Sequence, residues 1–261
     1  MKHISSRDNP LFKSLSKLIT SARERRKTGH TVLDGIHLVE AFLHAGGVPE
    51  VLVASESACD DAEIRALLER VAPAVTMSDD LFDAVAPVQT PTGVLAQIAI
   101  PRRHAVPDAE FCLLLEDIQD PGNVGSMLRS AAAAGVQCVY LSKGCADAWS
   151  PRVLRAGMGA HFHTVLVEHA DLAQVARAFR GKVVAAMLDA RQTLYEIDFT
   201  GPVAWVIGNE GAGVSPDLLA IAGERVSIPM PGGVESLNAA AAAAVCLFER
   251  VRQTAMPFPP R

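Results

Sequence analysis

Arg225-Val226-Ser227-Ile228-Pro229-Met230-Pro231-Gly232-Gly233-Val234-Glu235-Ser236-Leu237-Asn238, carried on by alanines through Ala244 and ending at Arg250, contains a complete strand, turn and helix. Val226 and Ile228 give the strand, and the Pro/Gly run gives a tight turn. Ser236 and Asn238 are two candidate caps whose side chains can accept from free amide N–H groups. A helix of methyl side chains has the highest propensity and lets another backbone approach closely, so it requires a partner. Its N-terminal end also favours an anion.

Upstream, apolar runs alternate with helical spacing. Strands are expected at Phe111–Leu115, Cys138–Leu141, His163–Val167, Val183–Leu188, Val203–Ile207 and Val226–Ile228, with helices at Val124–Ala134, Pro151–Met158, Leu172–Phe179 and Pro216–Ala222. Near-continuous apolar strands between helices indicate an α/β fold with a parallel sheet covered on both faces. Ligands of such sheets bind at the carboxyl ends of strands. That selects three loops: Glu116 to Gly125 with Arg129 beyond it, Gly208-Asn209-Glu210-Gly211-Ala212-Gly213, and the Pro/Gly turn leading to Ser236 and Asn238.

The N-terminal part is smaller. Residues 9–27 place Leu11, Leu15, Leu18 and Ala22 at helical spacing with basic residues largely elsewhere, an amphipathic basic helix. A small α/β layer follows, with helices at His37–Ala45, Asp61–Arg70 and Asp79–Ala86 and strands at Glu50–Ala54, Val75–Met77 and Val94–Ile100. The expected division is therefore residues 1–100, a Pro- and Arg-containing linker over 101–109, and a second domain over 110–261.

Of 261 residues, 49% are hydrophobic and 20% charged, which suits a folded chain with a sizeable core. The net charge is −5, yet residues 1–30 hold eight Lys/Arg against Asp8 and Glu24, a basic end suited to a polyanion. The start has no apolar leader segment and no apolar run is long enough to span a bilayer, so a cytoplasmic location and no membrane contact are expected. The five cysteines lack C-x-x-C spacing, three of them lie in apolar segments, and the eight His contain no H-E-x-x-H pair; no metal site is expected. His161 and His163 alternate along the expected strand as edge or core residues. Gly208-x-x-Gly211-x-Gly213 is not a dinucleotide fingerprint, and neither a P-loop nor a G-x-S-x-G nucleophile elbow is present.

Taken together, the three loops resemble the three motifs of the SpoU/TrmH family of RNA 2′-O-ribose methyltransferases, of the SPOUT class. Asn123-Val124-Gly125 with Arg129 resembles the first motif, Ile207 to Gly213 the second, and Ile228-Pro229-Met230 through Ser236-Leu237-Asn238 the third. The resemblance covers Phe111 to Arg252 closely. It extends more weakly to Leu33-Asp34-Gly35-Ile36-His37-Leu38-Val39-Glu40 and Pro91-Thr92-Gly93-Val94-Leu95-Ala96, which look like the family's substrate-binding domain.

The resemblance implies a parallel-sheet domain with a C-terminal trefoil knot, a feature no periodicity reveals and one that chains generally avoid. It implies S-adenosylmethionine as cofactor, bound in a bent form by Leu188, Gly208, Asn209, Ile228, Met230 and Leu237, and pairing of two subunits into a homodimer. It also implies a ribosomal or transfer RNA substrate and catalytic roles for Arg129, Asn123, Glu210, Ser236 and Asn238. A guanidinium stays protonated at any working pH, so Arg129 is better suited to clamp an RNA phosphate and polarise the ribose hydroxyl than to act as a base. Taken singly, Asn123 and Glu210 are ordinary turn residues and Ser236 and Asn238 ordinary caps. Gly157 and Thr92 stand where many relatives carry Ser and Gln, which bears on substrate contacts rather than on methyl transfer. The alternative from another class is a non-catalytic RNA-binding relative of the same fold.

Overall fold

A computed structural model of the chain describes residues 1–88 and 90–255. They form two compact units, one within residues 1–102 with 149–162 and the other of 103–148 with 163–255.

The first unit begins with strand β1 (Lys2–Ile4) and helices α1 (Pro10–Thr20) and α2 (Ala22–Thr28). The single basic helix expected over 9–27 is broken at Ser21. That residue is extended (φ −123°), its N–H closes α1 on the Lys17 carbonyl, and its hydroxyl accepts the Glu24 N–H to open α2. Two capping bonds at one residue outweigh the continuity of the apolar spacing. Arg25 is another departure: only 4% exposed, it donates to the carbonyls of Leu18 at 2.5 Å and Ile19 at 3.2 Å and so holds the end of α1. Lys13, Lys17, Arg23, Arg26 and Lys27 are exposed as expected.

Then follow β2 (His30–Asp34), α3 (Ile36–His44), β3 (Val51–Ser55), α4 (Ala62–Arg70), β4 (Ala74–Met77), α5 (Asp79–Val85) and β5 (Val94–Ala99). The sheet order is β1-β4-β3-β5-β2, with β5 antiparallel to both β2 and β3 and the rest parallel. Leu15 and Leu18 of α1 bury against Val32, Val53, Leu95 and Phe82 in a shared core. β1 was unread in the sequence because Ile4 alone of its three residues is buried.

In the second unit, β6 (Phe111–Leu115), α6 (Pro121–Ala134) and β7 (Cys138–Leu141) come first. The chain then contributes residues 149–162, with helix α7 (Pro151–Gly157), to the first unit, where the Thr31 hydroxyl donates to the Trp149 carbonyl at 2.6 Å. The expected second domain over 110–261 drew this segment elsewhere. His161 lies here in a short 3-10 turn, buried with its ring 5.2 Å from that of Trp149, and not on a strand. The second unit resumes with β8 (Val165–Val167), α8 (Leu172–Ala178), β9 (Lys182–Ala186), β10 (Gln192–Thr193), β11 (Val203–Ile207), α9 (Pro216–Ile221), β12 (Glu224–Ser227) and α10 (Ala239–Thr254).

Its seven strands are ordered β10-β12-β9-β11-β6-β7-β8 and pair in parallel throughout, as the apolar runs imply. All five residues of β6 and of β11 are buried. The alanine-rich α10 finds its partner inside the chain: it packs on α6, which itself ends in four alanines. Asn238, not Ser236, caps it, accepting from the N–H groups of Ala240 and Ala241. Cys112, Cys138 and Cys246 are buried thiols. Among the described residues no helix is long and apolar enough to cross a membrane, and no cluster of three metal-ligating side chains occurs.

Candidate active site

The carboxyl ends of β9, β11 and β12 open onto a cavity of about 560 Å³ within the second unit. Strand ends set its walls. β9 stops at Ala186, two residues before its expected end, because the Met187 N–H makes the last bond to the Val226 carbonyl; Leu188 is thereby released to the cavity mouth, 60% exposed. β12 likewise ends at Ser227 and leaves Ile228 and Met230 in the wall.

The β11–α9 loop turns back over its own start. A Cβ on Gly208 would overlap the carbonyl of Gly213 and the amide of Val214, so only glycine fits there. Gly213 bridges back to Asn209, donating its N–H to the Asn209 carbonyl at 2.8 Å. The Asn209 carboxamide oxygen accepts from the amides of Gly211 and Ala212, and its nitrogen donates to the Asp117 carbonyl at 2.9 Å.

A relay of side chains joins the three loops. Because the Asn238 oxygen accepts two backbone N–H groups of α10, its nitrogen must face outward, and it donates to Asn123 Oδ1 at 2.9 Å. Asn123 in turn donates through Nδ2 to Glu210 Oε1 at 2.5 Å. Asn123 is fixed from the other side by its N–H, which donates to the α6 cap Asp120 at 2.8 Å. Glu210 Oε2 has no hydrogen-bond partner among the described residues, so this exposed carboxylate keeps an oxygen free.

Glu210, Ser236 and Asn238 line the cavity, as do Leu188, Gly208, Asn209, Ile228, Met230 and Leu237, whereas Asn123 touches it through Glu210 and Asn238. Arg129 is not in the lining. Six residues beyond Asn123 on α6, it is turned by roughly 240° about the helix axis; its side chain is exposed and has no ion-pair or hydrogen-bond partner among the described residues. Sequence reasoning passed over Asp189, Val214, Ala239 and Ala242 in the lining. Asp189 had a readable signal, since it follows a strand at the sheet edge where ligands bind.

Among the described residues no cysteine lines the cavity, so it offers no thiol nucleophile. Burial pushes the Cys145 thiol up, and that thiol donates to the Leu115 carbonyl; burial likewise drives Cys246 up to about 12. Ile207, Val226, Leu237 and the alanines supply apolar wall, backbone at Gly208 admits close approach, and Asp189 and Glu210 supply two carboxylates. Such a mixture of apolar surface and few polar groups is typical of a site for a nucleoside-sized molecule.

The chain is similar to known proteins along nearly its whole length. The chain is 36% identical over 251 residues to the 23S rRNA (guanosine(2553)-2′-O)-methyltransferase RlmP of Bacillus subtilis (strain 168), covering 95% of this chain and 98% of that one. It is 32% identical to the mitochondrial rRNA methyltransferase 3 of Mus musculus, over 92% of this chain and 71% of the mouse protein. The AdoMet-bound rRNA methyltransferase from Sinorhizobium meliloti superposes with a TM-score of 0.83 at 27% identity, covering 98% of this chain and 99% of that one. The MRM3-like substrate binding domain matches residues 9–96. With residues 110–248 matching the SpoU rRNA Methylase family over the sheet and loops that build the cavity, the chain belongs to that family.

Proposed function

We propose that this chain is an S-adenosylmethionine-dependent RNA methyltransferase that modifies a ribose 2′-hydroxyl of ribosomal or transfer RNA, ribosomal RNA being favoured by the names of its relatives. The observation that carries the reading is the relay Asn238–Asn123–Glu210 at the rim of a cavity built by the three motif loops.

The cavity fits the cofactor on its own terms: the glycine-only backbone at Gly208 admits a close-lying nucleoside, and Ile228 and Leu237 supply apolar wall for an adenine ring. Leu188, Asn209 and Met230 complete the proposed cofactor set. When bound, the cofactor supplies an electrophilic sulfonium methyl group, and Asp189 and Glu210 give its cationic centre a negative surrounding. The protein has to align the ribose hydroxyl and take away one proton. Glu210, held by Asn123 with one oxygen free, is the proton acceptor in this reading, and Ser236 and Asn238 hold the hydroxyl and the loop in register. Arg129 clamps an RNA phosphate with its uncommitted guanidinium. The intact set of these five residues speaks against the non-catalytic alternative. Titration calorimetry with S-adenosylmethionine separates the two: micromolar binding is expected of the enzyme, and no binding would leave an RNA-binding module.

The exposed residues Lys13, Lys17, Arg23, Arg26 and Lys27 form the proposed RNA-binding arm, with Arg25 excluded because it is buried. Neutralising these five should weaken RNA binding and reduce the slope of log K against log salt by about 0.7–0.9 for each phosphate that is no longer neutralised. An unchanged slope would reduce the arm to a solvated face. Arg25→Ala should instead lower the melting temperature.

A homodimer, a trefoil knot and a cytoplasmic location belong to the same reading. The alanine face of α10 is taken up by α6, so support for the dimer rests on what these helices leave exposed: Ser126 and Ala133 on α6, and Ala241 with Phe248, 45% exposed, on α10. Light scattering should give twice the 27.7 kDa chain mass, and a monomer at micromolar concentration would refute the pairing. The knot is supported by the insertion of β12 between β9 and β10 and by Gln253 of α10, which donates to the Ile197 carbonyl and accepts from the Phe199 N–H. A crystal structure with residues 228–254 passing outside the 187–202 loop would contradict it.

A further inference from the structure

Two acidic residues outside the cavity take hold of the β11–α9 loop at both of its ends. Glu116 and Asp117 follow β6, which lies beside β11 in the sheet, and the Glu116 N–H continues the ladder by donating to the Ile207 carbonyl at 2.9 Å. At the start of the loop, the Asp117 carbonyl accepts from Asn209 Nδ2 at 2.9 Å. At its end, Glu116 Oε2 accepts from the Ser215 N–H at 2.7 Å, the residue whose hydroxyl then caps α9. Neither acidic residue lines the cavity.

Asp117 is itself over-determined. Its backbone is left-handed, with φ 54°, an uncommon state for a residue with a side chain. The Ser142 hydroxyl donates to its carboxylate at 2.5 Å while accepting from its N–H at 2.9 Å. Gly144 leaves room for that carboxylate, since a Cβ there would overlap it. The carbonyl offered to Asn209 is therefore aimed by a separate lock on β7's following loop. Asn209 spends its oxygen on Gly211 and Ala212, so its one remaining handle is the nitrogen that Asp117 holds.

We infer that Glu116 and Asp117 are positioning residues that clasp the Gly208–Val214 loop in its ligand-ready shape, so that cofactor affinity depends on two residues that do not contact the cofactor. The inference rests on the proposed cofactor site. Preorganising a loop improves binding by removing the ordering cost that the ligand would otherwise bear.

The test is calorimetric titration of S-adenosylmethionine into the purified parent, Glu116→Ala, Glu116→Gln and Gly144→Ala proteins. Glu116→Ala leaves the Ser215 amide without its charged acceptor and should weaken binding by about tenfold or more. Glu116→Gln keeps an acceptor oxygen and should recover most of the affinity. Gly144→Ala displaces the Asp117 carboxylate without touching the cavity, and it should weaken binding in the same direction. It also reads the clasp independently if Glu116→Ala does not fold. In cofactor-free protein, Glu116→Ala should speed hydrogen exchange at the Ser215 amide. In turnover, the cofactor KM should rise while kcat at saturating cofactor and the RNA KM hold.

A parent that binds S-adenosylmethionine, with both alanine variants binding equally well, would overturn the clasp and leave the proposed function standing. Lowered melting temperatures with unchanged affinity would do the same, reducing Glu116 to a helix cap. A parent that does not bind would overturn the proposed cofactor site, and the clasp with it.

Discussion

Arg129→Ala should bind S-adenosylmethionine as the parent does and methylate RNA on the order of a hundredfold more slowly, or worse. The binding half follows from geometry: Arg129 is outside the cavity lining, and no residue of the lining depends on it for a hydrogen bond among the described residues. The rate half follows from the proposed clamp: an RNA phosphate left unheld misplaces the ribose hydroxyl, and misplacement of about 1 Å costs on the order of a hundredfold. Arg129→Lys keeps the charge without the planar fork and should recover only part of the rate. Because Arg129 is exposed and makes no internal hydrogen bond or ion pair of its own among the described residues, the variant should melt like the parent. Single-turnover methyl transfer at saturating cofactor is the measurement; a parental rate would remove Arg129 from the mechanism and leave Glu210, Ser236 and Asn238 as the groups to test.

Gly208→Ala carries the opposite signature. Its Cβ would overlap the Gly213 carbonyl, so the loop must open before any ligand arrives. Overpacking of this kind costs roughly 1–3 kcal/mol, equivalent to an affinity loss on the order of ten- to hundredfold. Gly211→Ala is the matched control: the nearest atom to its Cβ would be Asn209 Oδ1 at 3.5 Å, an ordinary contact, and the affinity should be close to parental. Equal affinities for the two variants would show that the closed loop is not what the cofactor requires.

How legible each feature was in the sequence depends on how local its cause is. β6 and β11 coincide with the expected strands to the residue, because all five side chains of each are buried and apolar and nothing competes. Ser21 did not announce the break in the basic helix, since the same spacing of leucines serves one helix or two and the decision rests on a capping bond to Glu24. β1 and β10, with three and two residues, are strands only because β4 and β12 lie beside them. Arg25 reads as one more cation in a basic run until the carbonyls at the end of α1 are placed against it. Of the site, the loops were legible through strand order and glycine placement, and their membership through the three motifs. The bonds that join them were not: Asn123 meets Glu210 across 87 positions and Asn238 across 115, and only the folded sheet brings those separations down to a hydrogen bond.

If the cavity formed by these loops delivers a methyl group to a ribose oxygen, the product itself carries the proof. The decisive measurement is incubation of the purified protein with methyl-labelled S-adenosylmethionine and ribosomal RNA lacking its native modifications, followed by complete digestion to nucleosides. The label should appear in a single 2′-O-methylnucleoside, and its initial rate of appearance should fall on the order of tenfold or more with Gly208→Ala at low cofactor and on the order of a hundredfold with Arg129→Ala at any cofactor concentration. Label recovered on a base, or no transfer to ribosomal or transfer RNA by a protein that binds the cofactor, would contradict it.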